Sequence, residues 1–394
     1  MPRDLERLDR IQSALLEAGL DAVVCSIPEN VLLATGYFPV VGTSVAVVTR
    51  EREVILFAPE DEHEMASCDC SDRLITFQPG SLDTIGGAVE ALREPLRRVM
   101  REKRLSGAVI GYECGPSYAP ASYVAMHLYG SAIPELFSEA TLRPAGNLLA
   151  RLKSVLTPIE LDRVRRACRI AAVGFQEGVR YIVPGVKETE AAEAFRRPLE
   201  VCGTGFEGVC RACGGMFCMS GKHSASAYGA YARSRSKEIE ITDLVLVHCN
   251  SCADGYWTDI TRTYCIAPAS RRQKEMYEAV FEARQAALDA IRPGAAAAAV
   301  DAAARGVMRR RGFGDQFKHP TGHGVGLAAI DHNALPRIHP KSDARLECGM
   351  VFNIEPAIYI EDFGGLRHCD MVAVTETGAE LLTPFQLHLE ELIQ

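Results

Sequence analysis

Two pairs of short apolar runs constrain this chain most, because each pair predicts a β-hairpin that carries side chains able to bind metals. In the first pair, residues 244–248 read LVLVH and residues 255–263 read GYWTDITRT. The dipeptide Asp254-Gly255 between them is typical of a tight hairpin turn. His248 and Asp259 are therefore expected near each other on adjacent strands.

A second hairpin is predicted further along the chain, from two runs that flank Gly364-Gly365. The first run reads VFNIE and ends at Glu355, and the second reads LRHCD and contains Cys369, so pairing sets these two residues close together. His323 lies between the hairpins, with a glycine on each side that lets the backbone approach a ligand closely. We therefore predict that five residues converge from three segments: His248, Asp259, His323, Glu355 and Cys369.

The size and charge of the chain exclude several classes of protein. Its 394 residues suffice for two domains with proper cores. The net charge of −8 is spread without long single-sign runs, so neither a nucleic-acid nor a membrane partner is expected. The sequence MPRDLE opens a charged amphipathic helix where a secretory segment would have its apolar core. A cytoplasmic location is expected.

The chain has fourteen cysteines, which we interpret as reduced thiols. Two CxxC strings, Cys210 with Cys213 and Cys249 with Cys252, leave open a structural zinc site, although their separation is longer than in zinc ribbons. The favoured alternative to a zinc site is that these cysteines are small, buried hydrophobic side chains of the core. We predict no disulfides, no zinc shared by the four, and a Cys249 side chain that points away from His248.

Residues 1–150 are predicted to form a small α/β domain. Its first helix has apolar residues at helical spacing from Leu5 to Ala18 and ends at Gly19. Helical stretches are predicted near residues 82–101, between the strands. Four β-branched runs are predicted as strands: 22–25, 44–49, 54–57 and 109–112.

Residues 151–394 are predicted to form a second domain with a weak internal duplication. Thr157 with Glu160, and later Ser270 with Gln273, form capping boxes that each start a long helix. Each long helix ends before a Pro-Gly pair, and a second helix and a ligand-bearing block follow. This order indicates two α/β halves related by a pseudo-two-fold, with helices outside and strands inside.

The second domain resembles the pita-bread peptidase family, which includes Xaa-Pro dipeptidases, Xaa-Pro aminopeptidases, methionine aminopeptidases and the metal-free creatinase. Three strings carry the resemblance: Asp259-Ile260-Thr261-Arg262-Thr263, Thr321-Gly322-His323-Gly324-Val325-Gly326-Leu327 and Ile354-Glu355-Pro356. The first domain resembles the family's creatinase-type N-terminal domain. The resemblance implies an α+β pita-bread fold, and a homodimer in which N-terminal domains roof the neighbouring subunit's site.

Two of the five predicted ligands depart from the pattern of the dinuclear family members. Asp259, His323 and Glu355 match it, but His248 stands where a first Asp is implied and Cys369 stands where a second Glu is implied. A neutral imidazole cannot bridge two ions as a carboxylate does. We therefore expect one divalent ion, with zinc or iron favoured over manganese, or none.

Substrate-facing positions also depart from the family. His223 stands where Asn is usual, and Tyr228 stands where a substrate-facing His is usual. The family's second substrate-facing His follows the Gly-His-Gly string by a few residues. Counting along this chain places that position at Ile330, so His332 can take the role only if this chain has a short insertion there. Arg367 matches the family's Arg.

Three functions stay open from the sequence. The leading one is metal-assisted hydrolysis of a C–N bond, most like an Xaa-Pro dipeptidase or aminopeptidase, with Glu355 as general acid/base. His323 with Tyr228 or His332 then steadies the tetrahedral intermediate, while Arg367 orients a substrate carboxylate. The second is a metal-independent, creatinase-like hydrolase with His223 as general base. The third is a folded, non-catalytic relative that binds small molecules or partners. A separate alternative for Asp259 and Glu355 is that each caps a strand or pairs with an arginine such as Arg262 or Arg367.

Overall fold

The computed structural model describes residues 3–40, 42–67, 71–83, 85–113, 128, 132–230, 233–327 and 334–394. The chain divides into two compact units, Met1–Lys153 and Ser154–Gln394, close to the division near Arg151 that the sequence indicates. His332, one of the predicted substrate-facing residues, lies outside the described residues. Among those described, no helix is both long and apolar enough to cross a bilayer.

The first unit is built around a six-stranded mixed sheet in the order β4-β3-β2-β1-β5-β6. Its elements are α1 Leu5–Ala18, β1 Ala22–Cys25, α2 Pro28–Thr35, β2 Val45–Thr49, β3 Val54–Pro59, α3 His63–Ala66, β4 Arg73–Phe77, α4 Ala88–Glu102, β5 Val109–Tyr112, α5 Ala132–Leu136, β6 Thr141–Pro144 and α6 Gly146–Ser154. The four predicted strands are all present, and α1 ends as predicted at Gly19, whose φ of 62° is left-handed.

One helix of this unit starts later than the sequence indicates. The sequence indicates helical stretches near residues 82–101, but α4 begins only at Ala88, with Gly87 as its N-cap at a φ of −129°. Gly86 and Gly87 together disfavour helix because glycine loses the most backbone freedom on folding. The side chains of Leu82 and Ile85 before them are fully exposed, so no apolar contact extends the helix backwards.

The second unit repeats one order twice, a helix pair followed by a block of strands. Its first half contains α7 Pro158–Gly178, α8 Glu188–Val201, β7 Ala212–Ser220, α9 Ala227–Ala230, β8 Leu244–Ala253, β9 Tyr256–Trp257 and β10 Ile260–Cys265. Its second half contains α10 Arg271–Ala290, α11 Ala297–Arg310, β11 Val351–Ile354, β12 Ala357–Ile360, β13 Gly364–Arg367, β14 Asp370–Val374 and β15 Ala379–Leu381. Both capping boxes are confirmed: Thr157 with Glu160 starts α7, and Ser270 with Gln273 starts α10.

The strands of the second unit form three sheets. One has the order β10-β8-β7, with β9 also paired to β8, one has the order β11-β14-β15, and β12 pairs with β13. The predicted first hairpin is confirmed, because β8 reverses into β9 at Asp254 and Gly255, whose φ angles are 47° and 89°. Two successive positive φ angles are the signature of the type I′ turn that Asp-Gly favours.

The second hairpin differs from the sequence prediction. Its reversal lies at residues 361–363 between β12 and β13, so Gly364 and Gly365 are strand residues and not the turn. A Cβ on Gly365 would lie 2.2 Å from the carbonyl oxygen of Ser224, which explains the glycine there. Each predicted run is also interrupted near the site: β11 ends before Glu355, and Cys369 lies between β13 and β14.

Candidate metal centre

The two strand blocks of the second unit join at the candidate site through a backbone bridge between Thr261 and Cys369. The N–H of Cys369 donates to the carbonyl of Thr261 at 3.0 Å, and the reverse bond is 3.3 Å long. Asp259 lies just before β10, so this bridge sets its carboxylate beside the Cys369 thiol, with Sγ 3.7 Å from Oδ1. Cys369 therefore reaches the site by pairing with the first block as well as through its own hairpin.

The loop that carries His323 is fixed along β11. The N–H of His323 donates to the side-chain oxygen of Asn353 at 2.7 Å, and the N–H of Asn353 donates to the carbonyl of His323 at 3.0 Å. A Cβ on Gly322 would lie 1.9 Å from the carbonyl oxygen of Asn353, and one on Gly324 would lie 2.1 Å from that of Leu335. The glycines beside His323 thus permit backbone contacts that no side chain allows.

Three buried side chains form a compact group of possible metal ligands. One ligand atom each from Asp259, Glu355 and Cys369 lies within 4.8 Å of the other two. The thiol of Cys369 donates to the carbonyl oxygen of Asp259 at 3.1 Å, and burial raises the pKa of this thiol well above its usual range. The group offers two oxygen donors and one sulfur donor at a single point.

The imidazole of His323 faces the same point. Its Nε2 lies 3.5 Å from Oδ2 of Asp259, while Nδ1 lies 3.0 Å from the carbonyl oxygen of Gly324, to which an Nδ1–H donates. Burial acts to lower the pKa of His323, but the carboxylates of Asp259 and Glu355 outweigh it and raise the pKa to about 9. Without a metal, His323 is therefore a cation at neutral pH.

Glu355 has a carboxyl group suited to proton transfer. Burial, together with the negative charge of Asp259, raises the pKa of Glu355 to about 7, against the opposing charges of Arg367 and His323. Burial has this effect because a low-dielectric surrounding disfavours the charged carboxylate. The carboxyl group is therefore divided between its two protonation states near neutral pH.

Arg367 contacts other residues of the protein through its guanidinium nitrogens, and its role in orienting a substrate carboxylate stays a prediction. Its Nη2 donates to Nδ1 of His248 at 3.0 Å, its Nε donates to the hydroxyl of Thr261 at 3.0 Å, and its Nη1 lies 3.7 Å from Glu355. The side chain is also 4% exposed. All three guanidinium nitrogens therefore already face partners within the protein.

His248 lies in the cluster but is poorly placed to bind a metal. Its Nδ1 is 3.7 Å from Oδ1 of Asp259, yet the lone pair of Nδ1 accepts the hydrogen bond from Arg367. Burial, reinforced by the guanidinium charge, lowers the pKa of His248 to about 4, so the ring is neutral and carries its proton on Nε2. All five predicted residues are thus brought together, and His248 is the one whose contacts disfavour ligation.

The contacts of His223 and Tyr228, two further predicted catalytic residues, are with side chains other than the five clustered ones. His223 is paired with the buried carboxylate of Glu188, at 3.2 Å from Nδ1. Tyr228 is 48% exposed; its ring packs on Tyr359 with centroids 5.4 Å apart, and the ammonium of Lys318 lies 4.8 Å from its centroid. Tyr228 therefore lies at the outer side of Tyr359, not among the metal-binding side chains.

Two residues that sequence reasoning missed support the site. Tyr359 is buried; its hydroxyl hydrogen-bonds to Nε2 of His319 at 3.0 Å and also contacts Arg367. Asn353 holds the His323 loop, as described above. Asn353 was detectable in principle, because a polar residue inside the buried run VFNIE requires a partner.

The two CxxC strings do not converge on one point. Cys213 lies opposite Cys252 in the β7–β8 ladder, whereas Cys249 lies opposite Met216. Since successive strand residues face opposite sides, the register of β8 puts Cys249 on the face away from His248 and from Cys252. The eleven cysteines that the structure describes carry free thiols. Cys68, Cys70 and Cys114 lie outside the described residues.

Comparisons with known proteins agree with this geometry. The profile of metallopeptidase family M24 matches residues 162–376, and that of the creatinase/prolidase N-terminal domain matches residues 7–155. An Xaa-Pro dipeptidase from Pyrococcus furiosus is 30% identical over 387 residues, which cover 98% of this chain and 99% of that protein.

Solved structures extend the likeness to the fold. A prolidase from Pyrococcus horikoshii is 27% identical with a TM-score of 0.78, covering 98% of this chain and 99% of its own. An Xaa-Pro dipeptidase from Bacillus anthracis is 25% identical with a TM-score of 0.79, covering 99% of both chains. The predicted pita-bread fold, preceded by an α/β domain, is confirmed. This chain belongs to metallopeptidase family M24.

Proposed function

We propose that this protein is an Xaa-Pro dipeptidase that works with a single divalent metal ion. The observation that carries the proposal is the buried group of Asp259, Glu355 and Cys369, whose ligand atoms lie within 4.8 Å of one another in a member of a metallopeptidase family. His323 supplies a fourth donor, because its Nε2 lies 3.5 Å from Asp259 while its Nδ1–H is held by Gly324.

The donor set fits one ion of intermediate softness. Two carboxylates, one thiolate and one imidazole favour zinc or ferrous iron over manganese, which prefers oxygen ligands. When bound, such an ion acts as a Lewis acid that polarises a scissile carbonyl and makes water more acidic. The ligands themselves must be deprotonated, so Cys369 and His323 give up protons to hold it.

A second ion does not fit the remaining side chains. Dinuclear sites hold their ions about 3.5–4 Å apart and share carboxylate oxygens between them. Here His248 is neutral, with its Nδ1 lone pair engaged, and the positive guanidinium of Arg367 lies 3.0 Å from it. A fixed positive charge at this place repels a second divalent cation, so no step of the reaction is assigned to one.

Glu355 is proposed as the general acid/base. In the metal-free protein its carboxyl group has a pKa of about 7. A carboxylate has two oxygens, so the oxygen that does not bind the ion would be left for proton transfer. Arg367 acts as a positioning residue, since its Nη1 lies 3.7 Å from Glu355 and limits the rise of that pKa. Tyr228 lies on the outer side of Tyr359, from where it can contact a bound dipeptide.

The metal-independent alternative is not favoured. In it, His223 would be the general base, but His223 is paired with Glu188 and not with the cluster. The likeness over 98% of the chain to an Xaa-Pro dipeptidase also favours peptide hydrolysis. A homodimer and a cytoplasmic location complete the proposal. Light scattering on the purified protein tests the dimer, and a mass equal to one chain rejects it.

The deciding experiment measures metal content and substrate preference together. Protein purified without added metal or chelator should contain about one zinc or iron per chain and should hydrolyse Xaa-Pro dipeptides. Glu355→Gln should lower kcat/KM by about 10²- to 10⁴-fold, which is the usual contribution of a general acid/base. Glu361→Gln, an exposed carboxylate at the β12–β13 turn, is the matched control and should leave the rate unchanged. Turnover of guanidino substrates without metal would support the creatinase-like alternative instead.

A further inference from the structure

A pair of cysteines outside the metal centre lies directly across two strands. Cys213 on β7 and Cys252 on β8 are opposed residues of the antiparallel ladder, and their thiols hydrogen-bond to each other. Opposed residues in such a ladder have Cα atoms about 4.5–5.5 Å apart. A disulfide needs a Cα separation of about 4.4–6.8 Å. The backbone spacing of this pair therefore already suits a disulfide.

The two thiols differ in their access to solvent. Cys213 is exposed, whereas Cys252 is buried with 4% of its surface accessible. The hydrogen bond from Cys252 lowers the pKa of Cys213 to about 7, and Arg211 acts in the same direction. A small solute in solution thus meets one thiol that is readily ionised, and a second, buried thiol lies opposite it on the neighbouring strand.

The pair shares a sheet face with the metal centre. Side chains of alternate residues along a strand face the same side, so Cys252 and His248 lie on one face of β8. Cys252 also lies opposite Trp257 of β9, two residues before Asp259. A disulfide between Cys213 and Cys252 would therefore covalently link β7 to β8, the strand that carries His248.

We propose that Cys213 and Cys252 form a hydroperoxide-reactive thiol pair that closes to a reversible disulfide. The Cys213 thiolate attacks one oxygen of a hydroperoxide, the O–O bond breaks, and the other oxygen leaves as an alcohol or water after taking a proton. Cys213 is then a sulfenic acid. The sulfur of Cys252 attacks the sulfur of Cys213, the S–O bond breaks, and the hydroxyl leaves as water with the Cys252 proton. Two electrons pass from the two thiols to the hydroperoxide.

The test maps disulfides in the full-length protein. Reduced protein is treated with hydrogen peroxide at a few equivalents, its remaining thiols are alkylated, and its peptides are identified by mass spectrometry. The expected product is a peptide pair joined through Cys213 and Cys252, which dithiothreitol separates. Cys348→Ser removes another exposed cysteine of the same unit and should leave the yield of this product unchanged.

Two variants separate the roles of the thiols. Cys252→Ala should stop the reaction at the sulfenic acid of Cys213, which dimedone traps, and Cys213→Ser should abolish both products. A cross-link from Cys213 to Cys202 or Cys210 in the unmutated protein would overturn the proposal. So would sulfinic or sulfonic acid at Cys213 without any cross-link. Because the unmutated protein supplies the deciding map, misfolding of a variant does not obscure the result.

Discussion

His248 is the residue whose surroundings explain most about the metal centre. Its Nδ1 lone pair accepts the hydrogen bond from Arg367 at 3.0 Å and is not available to a metal ion, and burial, reinforced by the guanidinium charge, keeps the ring neutral by lowering its pKa. Cys369 replaces a second carboxylate with a single sulfur atom. Together the two residues leave one complete set of donors, and they reduce the negative charge that a second divalent ion would require.

Restoring both carboxylates should restore a second ion. We predict that His248→Asp combined with Cys369→Glu raises the metal content from about one towards two ions per chain and increases Xaa-Pro dipeptidase activity. Cys369→Glu alone is the control, since it leaves Arg367 on a neutral imidazole, and it should stay near one ion. Elemental analysis and dipeptide turnover measure the outcome. Two ions already present in the unmutated protein would contradict this account of His248.

Metal uptake should be coupled to proton release. In the metal-free protein, burial raises the pKa of the Cys369 thiol well above its usual range, and His323 has a pKa of about 9, so both are protonated at pH 7. Both must lose a proton to bind, and Glu355, with a pKa of about 7, is about half protonated and must lose that proton as well. We therefore predict about two to three protons released per ion and an affinity that falls as pH decreases. Titration in a weakly buffered indicator dye measures this. Cys369→Ser should release about one proton fewer, and an unchanged count would reject Cys369 as a ligand.

The Cys213 thiol should show its own pH profile. Its pKa of about 7 depends first on the hydrogen bond from Cys252, so Cys213 is mostly a thiolate above pH 7 and a thiol below it. We predict that its alkylation rate by iodoacetamide rises about tenfold per pH unit below 7 and levels off above it. In Cys252→Ala the midpoint should move to higher pH. Peptide mapping of Cys213 alone gives the rate, and an unmoved midpoint would contradict the role of Cys252.

At the scale of elements, the His323 loop depends on close backbone contacts with β11. A Cβ on Gly322 would lie 1.9 Å from the carbonyl oxygen of Asn353, too close for any small adjustment. We predict that Gly322→Ala lowers the free energy of unfolding by about 1–3 kcal/mol or more. The same substitution should displace His323 and abolish metal binding. Denaturant unfolding followed by the fluorescence of Trp257, the single tryptophan, measures the stability.

A glycine elsewhere in the same unit serves as the control for that loop. Gly306 lies inside α11, and a Cβ there would meet only the Arg310 guanidinium at an ordinary 3.6 Å. Gly306→Ala should raise stability by up to about 1 kcal/mol, because alanine favours helix over glycine. Equal losses in the two variants would show that the contact with Asn353 is not the cause.

Helices that begin at a local capping signal lie where the sequence indicates, whereas the second hairpin does not. The helices α7 and α10 begin at capping boxes because their N-cap side chains bond within one turn. The second hairpin reverses at 361–363 because Gly365 is required where the strand passes the carbonyl oxygen of Ser224. That neighbour is far away in the sequence, so the sequence pattern alone indicates a turn at Gly364 and Gly365.

For the whole second unit, a buried ion cluster ties its two halves together. Asp370 on β14 accepts hydrogen bonds from Arg262 on β10, at 2.7 Å, and from Arg284 on α10. Both Arg262 and Asp370 are fully buried. Breaking such a buried pair leaves an uncompensated charge in the low-dielectric interior, which is costly in free energy.

We predict that Asp370→Asn lowers the free energy of unfolding of this unit by about 3–5 kcal/mol. Glu380→Gln is the matched change on a partly exposed pair, since Glu380 bonds to Arg165 at the surface. It should cost less than about 1 kcal/mol, because solvent screens that pair. Denaturant titrations of both variants give the comparison. A similar small loss in both would show that the Asp370 cluster does not hold the halves together.

The sequence alone was sufficient to predict the family, the division into two units and the identities of the clustered residues. Hydrophobic periodicity, helix caps and the motifs around Asp259, His323 and Glu355 each involve only a few neighbouring positions, so they can be recognised in the sequence. What each clustered residue does depended on tertiary contacts: Arg367 meets His248 across 119 residues, and Cys369 meets Asp259 across 110. Hydrogen bonds and burial set protonation and available lone pairs, and both come from neighbours that only folding supplies.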